Sequence, residues 1–329
     1  MTSAPGTPIL ALAVTTAEAA AILADNTLRT AWERQPAAFA VIGIDRLTGS
    51  APAATDLDPS LLATALATYG GPPVLFAAAA HIDLPYNLAR RALSLDHLTR
   101  GRSGILLGSR DTRGRTGDAW SGAGLGSSAE IGPETTADTA RALIGLWQSW
   151  PRDSIIGDKD SGILVRSERI RRVDHRGVTR TAGPLSIPAS AQGTPVLARY
   201  ITGPESEISR TDTGDLTVLG GFPDRGSVAA ALEHRTTPLV TESADIDTAD
   251  VLLTAGAHGI LLRTGIGGSP AETATDLLRT AAAFVADRGG PGALDSDATL
   301  RNVLGLAPPA DLLADAPPAF AVPSPAVYR

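Results

Sequence analysis

The stretch His81–Ser109 is HIDLPYNLARRALSLDHLTRGRSGILLGS, and it predicts a strand end, a helix, a turn and a further strand. The apolar run Val74–Ala80 just before it is typical of a buried parallel strand. Pro85 suits the first turn of a helix, where its missing N–H costs nothing, and Gly101 ends that helix. The stretch therefore predicts one strand–helix–strand unit of an α/β protein with short connections.

The helix in this stretch has two distinct faces. Leu88, Ala92 and Leu95 recur at helical spacing and are predicted to face a core, and Leu98 could extend this face by one turn. Arg90, Arg91 and Asp96 are expected on the solvent side.

The same stretch carries a resemblance to a known family. PYNLARRALSLDHLTRGRSG resembles the signature segment of the bacterial-luciferase-like flavin monooxygenases, most of all the nitrilotriacetate, dibenzothiophene-sulfone and pristinamycin monooxygenase branch. Three further segments agree with that branch in order along the chain: Leu146–Gly162, Asp174–Val196 and Thr299–Pro308. The resemblance implies a luciferase-like (β/α)8 TIM barrel, with an excursion after the fourth strand and a shortened C-terminal half.

Composition sets the class of protein and excludes several chemistries. The chain has 329 residues, of which 43% are hydrophobic, so it can bury one large core or two modest ones. Its formal charge of −7, without a basic block, argues against a nucleic-acid partner. The absence of cysteine excludes disulfides, thiolate metal sites and a cysteine nucleophile, and fits a reducing cytoplasm. Neither a signal peptide nor a membrane span is predicted.

The order of apolar runs supports a barrel. Eight strands are predicted: Ile9–Val14, Ala38–Ile44, Val74–Ala80, Ile105–Ser109, Pro195–Ile201, Leu216–Leu219, Pro238–Thr241 and Gly259–Arg263. One helix is predicted from Thr15 or Thr16 to about Arg34. Residues 1–307 are expected to form a single barrel domain that includes the excursion 151–194, and residues 308–329 an Ala/Pro-rich C-terminal tail that could wrap a partner subunit.

Asp45 is the first candidate site residue. It follows the second predicted strand, and active-site residues of α/β barrels lie at the carboxyl ends of strands. The resemblance implies an aspartate beside the flavin here. The alternative is that Asp45 caps or turns the following loop, as aspartate often does.

The ends of the third and fourth predicted strands supply further candidates. The resemblance implies that Ala80 lies against the flavin ring. His81 is a candidate catalytic residue, as an acid/base or as a donor to a flavin carbonyl; the alternative is a loop histidine bonded to nearby backbone. Ser109 retains a hydroxyl where the family has a threonine. Leu106 replaces a family asparagine, and Pro133 a family tyrosine.

The loop after the fifth predicted strand resembles the family's FMN-phosphate loop. Backbone N–H groups at a helix start suit a dianion, and small residues let them approach it. The resemblance therefore implies phosphate contacts from Thr202, Gly203 and Ser206. Pro204 removes a donor from this loop and Glu205 adds a like charge.

Several other polar segments have a structural interpretation as well as a functional one. Asp174–Gly177 is Asp-His-Arg-Gly, which is more typical of a turn held by side-chain hydrogen bonds than of a catalytic group. Arg263 at a strand end could reach a phosphate, but capping of its own loop is favoured. The segment Arg110–Ile131 is predicted to be a loop over the barrel mouth. The five histidines lie far apart, so no metal site is predicted.

The resemblance implies a function, with an alternative. It implies a two-component monooxygenase in which a separate NAD(P)H:flavin reductase supplies reduced FMN. A small organic substrate would be oxidised by O2 through a flavin C4a-peroxide, and the family suggests a homodimer. The alternative is a non-catalytic barrel with an eroded flavin site, acting as a binding or partner subunit, since Leu106, Pro133 and Thr202–Ser206 depart from the family pattern. A deazaflavin-dependent oxidoreductase is a third option.

Overall fold

The computed structural model describes residues 7–49, 57–112, 131–202, 213–233, 235–265, 267–288 and 297–320. Eight of its strands are parallel: β1 Ile9–Val14, β2 Phe39–Ile42, β3 Val74–Ala79, β4 Ser103–Gly108, β7 Val196–Ile201, β8 Leu216–Leu219, β9 Leu239–Ser243 and β10 Gly259–Leu262. They close into a barrel in the order β1-β10-β9-β8-β7-β4-β3-β2, which confirms the predicted TIM barrel.

Alternation along the strands separates two apolar clusters. Leu75 and Ala77 of β3 belong to the cluster inside the barrel, whereas Val74 and Phe76 belong to the cluster between the strands and the helices. Because successive strand side chains point to opposite faces, a strand buried on both faces must be apolar throughout. This is why β1, β2 and β3 appear in the sequence as unbroken apolar runs.

The helices surround the barrel. They are α1 Thr16–Ala24, α2 Asn26–Glu33, α3 Asp45–Thr48, α4 Pro59–Ala67, α5 Pro85–Leu98, α6 Pro133–Gln148, α7 Arg225–Glu233, α8 Ile246–Thr254, α9 Pro270–Arg288 and α10 Leu300–Val303. The prediction of one helix from Thr15 or Thr16 to Arg34 was wrong. Asp25 has an extended backbone and its carboxylate accepts from the N–H groups of Thr27 and Leu28, so it ends α1 and caps α2.

Leu98, the last residue of α5, is exposed and does not extend the core face of that helix. Asp96 corrects a further prediction, because it is buried and does not face solvent. Its carboxylate accepts hydrogen bonds from the Ser103 backbone N–H at 3.2 Å and from Gln192 Nε2 at 2.6 Å, and it is also bonded to the Ser190 hydroxyl. Buried polar groups are retained when they are hydrogen-bonded. Asp96 therefore joins α5 and β4 to the end of the excursion.

The excursion contains an antiparallel hairpin formed by β5 Val173–Arg176 and β6 Arg180–Gly183. His175 Nε2 lies 3.0 Å from Oδ1 of Asp138 on α6, and the N–H of Thr179 donates to Oδ2 of the same carboxylate at 3.0 Å. The Asp-His-Arg-Gly segment is thus part of a hairpin that is anchored to the helix layer by side-chain hydrogen bonds.

The described part of the C-terminal tail packs on the same chain. The Ala319 N–H donates to the Ile170 carbonyl at 2.7 Å, and the Arg172 N–H donates to the Pro317 carbonyl at 2.9 Å. Further upstream, Leu300 is buried in the cluster inside the barrel. The family-like segment at Thr299–Pro308 therefore closes the amino-terminal end of the barrel.

Within the described ranges, none of the helices has both the length and the apolar character needed to cross a membrane.

Candidate active site

The mouth of the barrel has a small-residue side and a polar side. Ala13 and Ala79, near the carboxyl ends of β1 and β3, belong to the cluster inside the barrel. Across the mouth, Tyr200, Glu242 and Arg263 are buried near the ends of β7, β9 and β10. Because active sites of such barrels lie at the carboxyl ends of the strands, an active site is expected at this rim.

Asp45 is fully buried at the start of α3, after β2. Its Oδ1 accepts from the backbone N–H of Thr16 at 2.7 Å, and its Oδ2 accepts from the Thr16 hydroxyl at 3.0 Å. The carboxylate thus holds the first turn of α1, a contact between elements that are distant in sequence. This differs from a cap of its own loop, and it uses both carboxylate oxygens within the protein.

His81 is also buried, directly after β3. Its Nε2 accepts a hydrogen bond from the backbone N–H of Asp111 at 2.8 Å. A ring nitrogen that accepts from an N–H carries no proton, so in this geometry His81 is neutral with its proton on Nδ1. His81 accordingly connects the ends of β3 and β4, which corresponds to the backbone-bonded alternative considered from the sequence.

The Asp111 side chain extends this connection around the rim. Its carboxylate forms an ion pair with Arg46 at 2.6 Å, and the Thr112 N–H donates to the Arg46 carbonyl at 2.8 Å. Ala80 is buried beside them, and its N–H donates to the Gly108 carbonyl at 3.2 Å. The loops after β2, β3 and β4 are therefore fastened to one another.

A cavity of about 240 Å³ opens at the rim between β4 and β7. Ser109 and Thr202 line it, so two of the predicted flavin contacts are brought together here. Asp45, Ala80 and His81 are not among the lining residues, and Gly203 and Ser206 lie outside the described residues. The described residues that line it are Leu47, Gly108, Ser109, Arg110, Ile131, Gly132, Pro133, Arg199, Tyr200, Ile201 and Thr202.

The amino terminus of α6 forms one wall of this cavity. Gly132 is the cap residue, Pro133 is the first helical residue, and no side chain of the described residues caps the first turn. The Thr136 hydroxyl lies 3.2 Å from Ser109 Oγ, which fixes Ser109 against the helix. Uncapped N–H groups and the helix dipole favour a negative group at this end.

These groups fit the phosphate end of FMN. Hydroxyls, a helix amino terminus and the cationic Arg199 are the donors that a phosphate dianion needs. The volume of about 240 Å³ is below the roughly 300–1,000 Å³ of most small-molecule sites. The cavity between the described residues has room for only one part of such a group, and Ser109 and Thr202 are the residues that would hold it.

A hydrogen-bonded cluster that sequence reasoning missed fills the polar side of the mouth. Oε1 of the fully buried Glu242 accepts from Arg263 Nη1 at 2.6 Å, and Oε2 accepts from the Gly221 N–H at 2.7 Å. Tyr200 OH lies 3.5 Å from Oε2, at the outer limit of a hydrogen bond. Burial and the neighbouring Glu242 charge raise the pKa of Tyr200, so its hydroxyl stays protonated.

A correct end for the seventh predicted strand would have placed Glu242 inside the barrel. The seventh strand was predicted to end at Thr241, which left Glu242 in a loop, whereas β9 continues to Ser243 and Glu242 pairs in register with Leu261. An acidic residue two positions after the inward-facing Val240 must point into the barrel. Arg263 consequently binds Glu242, a contact that its predicted role in capping its own loop did not include.

No group of three or more histidine, cysteine, aspartate or glutamate side chains with metal-ligand geometry occurs in the described part of the chain.

Comparison with known proteins agrees with the fold and the sequence segments. No family model matches the sequence. One of the subunits of pristinamycin IIA synthase from Streptomyces pristinaespiralis is 32% identical over 153 residues, which cover 46% of this chain and 46% of that protein. Dibenzothiophene-sulfone monooxygenase of Rhodococcus erythropolis is 30% identical over 120 residues, or 34% of this chain and 25% of the relative. The aligned regions thus span less than half of each relative's length.

Solved structures extend the likeness over nearly the whole chain. A long-chain alkane monooxygenase superposes with a TM-score of 0.69 over 93% of this chain and 96% of its own, at 14% sequence identity. At that identity the likeness concerns the fold. Taken with the sequence relatives, it shows that the chain is similar to luciferase-like flavin monooxygenases in fold and, over less than half of its length, in sequence.

Proposed function

We propose that this chain is the oxygenase component of a two-component, FMN-dependent monooxygenase that oxidises a small organic molecule with O2. The observation that carries this proposal is the cavity between β4 and β7, where Ser109, Thr202 and the amino terminus of α6 meet. Reduced FMN would supply the activation of O2, and a separate NAD(P)H:flavin reductase would supply the reduced FMN.

In this proposal the protein's own residues bind, orient and shield. Ser109 and Thr202 donate hydroxyl hydrogen bonds to the phosphate end of the flavin. The Arg46–Asp111 ion pair and the hydrogen bond from the Asp111 N–H to His81 hold the rim rigid beside the flavin. A rigid, dry rim suits oxygen chemistry because it excludes water from reactive species.

A non-catalytic binding barrel is the second candidate, and it also has an observation in its favour. Asp45 and His81, which the resemblance would assign to the flavin and to catalysis, use their polar atoms in contacts with Thr16 and Asp111. Glu242 and Arg263 likewise bind each other at the mouth. In that case the barrel persists as a scaffold, since a fold alone does not determine a function.

Titration of the purified chain with FMN under anaerobic conditions, first oxidised and then photoreduced, tests the proposal. We expect sub-millimolar binding of at least the reduced form, weakened in Ser109→Ala. Ser94→Ala is the matched control, because Ser94 is an exposed serine on α5 whose hydroxyl donates only to its own helix. Failure of both flavin forms to bind at sub-millimolar concentration would leave the non-catalytic barrel.

We further propose that the chain works as a cytoplasmic homodimer, as the family resemblance suggests. Light scattering on the eluting peak of a sizing column gives the mass directly, and a mass near 33.6 kDa would contradict the dimer.

A further inference from the structure

A two-stranded arm of the excursion presents large aliphatic side chains to water. All ten residues from 155 to 164 are exposed, and four of them are Ile155, Ile156, Ile163 and Leu164. The exposed fraction of these four runs from 38% for Ile156 to 69% for Leu164. Together they leave on the order of 400 Å² of apolar surface uncovered by the described residues, a size at which an exposed patch marks an interaction site. The arm, defined as residues 155–164, is therefore expected to be covered in the working protein.

The arm is an ordered hairpin. The Ile156 N–H donates to the Leu164 carbonyl at 3.0 Å. Nearer the tip, the Asp158 N–H donates to the Ile163 carbonyl at 3.0 Å. The Asp158 carboxylate in turn accepts from the backbone N–H of Asp160 at 3.0 Å, which fixes the turn. Because a preordered surface loses little conformational entropy on binding, the aliphatic side chains of the arm are ready for a partner.

The base of the arm lies at the end of the barrel opposite the mouth. Trp150 follows the carboxyl end of α6, and its carbonyl accepts from the Ala189 N–H at 2.8 Å, shortly before β7 begins. Ser154 is fully buried at the base, and the Arg166 N–H donates to its carbonyl at 2.8 Å. The arm is thus fastened to the barrel at a distance from the cavity between β4 and β7, so a partner can bind the arm without closing that cavity.

The distribution of charge along the arm favours a protein partner over a lipid surface. The two strands of the arm carry no charged residue, and the charges of Asp158, Lys159 and Asp160 are confined to the turn. Insertion of the turn into a bilayer would bury these three charges first, and an acidic turn is repelled by anionic lipid. Exposed strands of single chains usually carry charges that prevent association. The uncharged strands of the arm are therefore typical of strands that are paired with another chain.

We propose that the arm is an interface between two copies of this chain, in which the two arms meet across a two-fold axis. A two-fold contact brings the same patch of both copies together, so the patch must be complementary to itself. The uncharged aliphatic strands meet this condition. The turn meets it too, because it carries both signs and Lys159 of each copy can pair with an aspartate of the other.

The area of the arm is consistent with this assignment. Its aliphatic side chains supply about half of the roughly 800 Å² that each partner of a standard interface buries, and the exposed turn adds polar area to them. The inference rests on the homodimer proposed above, to which it assigns a surface, and it is independent of the flavin.

The experiment uses the full chain and makes one substitution at two sites. Leu164→Gln removes an aliphatic side chain from the arm. Leu98→Gln is the matched control, because Leu98 at the end of α5 is 71% exposed and Leu164 is 69% exposed. Light scattering on a sizing column gives the mass over a range of concentrations. An amine-reactive bifunctional reagent adds a local measurement, because Lys159 is the only lysine in the sequence.

We expect a wild-type dimer whose dissociation constant rises about a hundredfold in Leu164→Gln, because each of the two copies loses a buried leucine. Leu98→Gln should leave the dissociation constant unchanged. Mass mapping of the cross-linked wild type should find the peptide that contains Lys159 joined to a second copy of itself. Such a link can come only from two chains, and Leu164→Gln should remove it at concentrations where that variant is monomeric.

The outcomes separate this inference from the proposed function. A dimer that depends on Leu164, in a chain that binds no FMN, supports the interface and removes the flavin. A dimer whose dissociation constant is the same in Leu164→Gln overturns the interface while the homodimer stands. A wild type that is monomeric at every concentration overturns both, as does an arm that binds anionic lipid vesicles in place of a second copy. Should Leu164→Gln fail to fold, the cross-link decides, and its absence from the wild-type dimer would contradict the meeting of the two arms.

Discussion

The carboxylate of Asp45 accepts a hydrogen bond from the backbone N–H of Thr16 at 2.7 Å, which joins the loop after β2 to the first turn of α1. Both residues are fully buried. An N–H at the start of a helix has no partner within that helix, so Asp45 satisfies a group that would otherwise be buried without one. The family resemblance assigns a flavin contact to the same aspartate, so variants of Asp45 are informative about both roles.

Asp45→Ala is expected to lower the free energy of unfolding by about 1–3 kcal/mol, because Thr16 loses its acceptor. Asp45→Asn should lose less, since one acceptor oxygen remains. Urea unfolding measures both, with the exposed Asp160 as the control site for Asp160→Ala.

The same variants decide whether Asp45 contacts a flavin. If it does, Asp45→Asn weakens FMN binding under conditions in which the variant remains folded. Unchanged FMN affinity in Asp45→Asn would remove Asp45 from the flavin site and leave it a structural role.

The buried Arg301 forms a two-pronged ion pair with the partly buried Asp215. Its Nη1 lies 2.7 Å from Oδ1 and its Nη2 2.9 Å from Oδ2. Arg301→Met leaves the partly buried Asp215 carboxylate without its cation, so we expect a loss of about 3 kcal/mol, at the low end of the range for buried pairs. Chemical denaturation measures it, and Arg301→Lys should recover part of the loss by restoring the charge without the fork.

The comparison for this pair is Arg279→Met, which breaks a surface pair with Asp276 one helical turn away. Exposed pairs contribute about 0–1 kcal/mol, so this variant should be nearly neutral. Equal losses for Arg279→Met and Arg301→Met would show that burial of the Arg301 pair has no special weight.

Asp138 gives a pH-dependent prediction. Burial acts to raise its pKa, but the hydrogen bonds from His175 and the Thr179 N–H, with the nearby positive charge, outweigh burial and hold the pKa below the usual value of 3.8. A carboxyl whose pKa is lowered in the folded state stabilises the fold above its unfolded pKa, and this contribution is lost as the pH falls through the folded pKa.

Asp138→Asn should therefore be less stable than the wild type at neutral pH, and the difference should shrink as the pH falls below 3.8. Unfolding curves recorded at several pH values measure this difference. The exposed Asp160→Asn serves as the control. A gap between wild type and Asp138→Asn that stays constant into acid would contradict the ionised hydrogen-bonded state of Asp138.

Two wrong predictions show where local sequence patterns are not sufficient to predict structure. The local pattern of α5 places Asp96 on the side of the helix that faces solvent. Asp96 is nevertheless buried, because Ser103, Ser190 and Gln192 form hydrogen bonds with its carboxylate. Asp25 occurs inside an apolar helical pattern, yet its carboxylate captures two N–H groups and starts a new helix. In both cases the hydrogen-bond partners of the aspartate decide its structural role. Only the partners of Asp25 are close to it in sequence.

Glu242 and Arg199 were missed for a related reason. Strand alternation could have placed Glu242 inside the barrel if β9 had been drawn two residues longer. Nothing near Arg199 in sequence distinguishes a buried arginine from an exposed one. Its burial depends on which side chains of α6 and the neighbouring strands surround it.

The sequence by itself determined the order of strands and helices, because the period of apolar residues and the turn residues between them act within each element, and its resemblance to a known family implied the barrel. It also located the candidate flavin contacts Ser109 and Thr202 at strand ends. Only the tertiary structure decided that these two share a cavity with Arg199, whereas Asp45 and His81 are bound to Thr16 and Asp111. The physical reason is that hydrogen bonding and burial at the rim depend on loops from different strands, whose distances from one another no local pattern encodes.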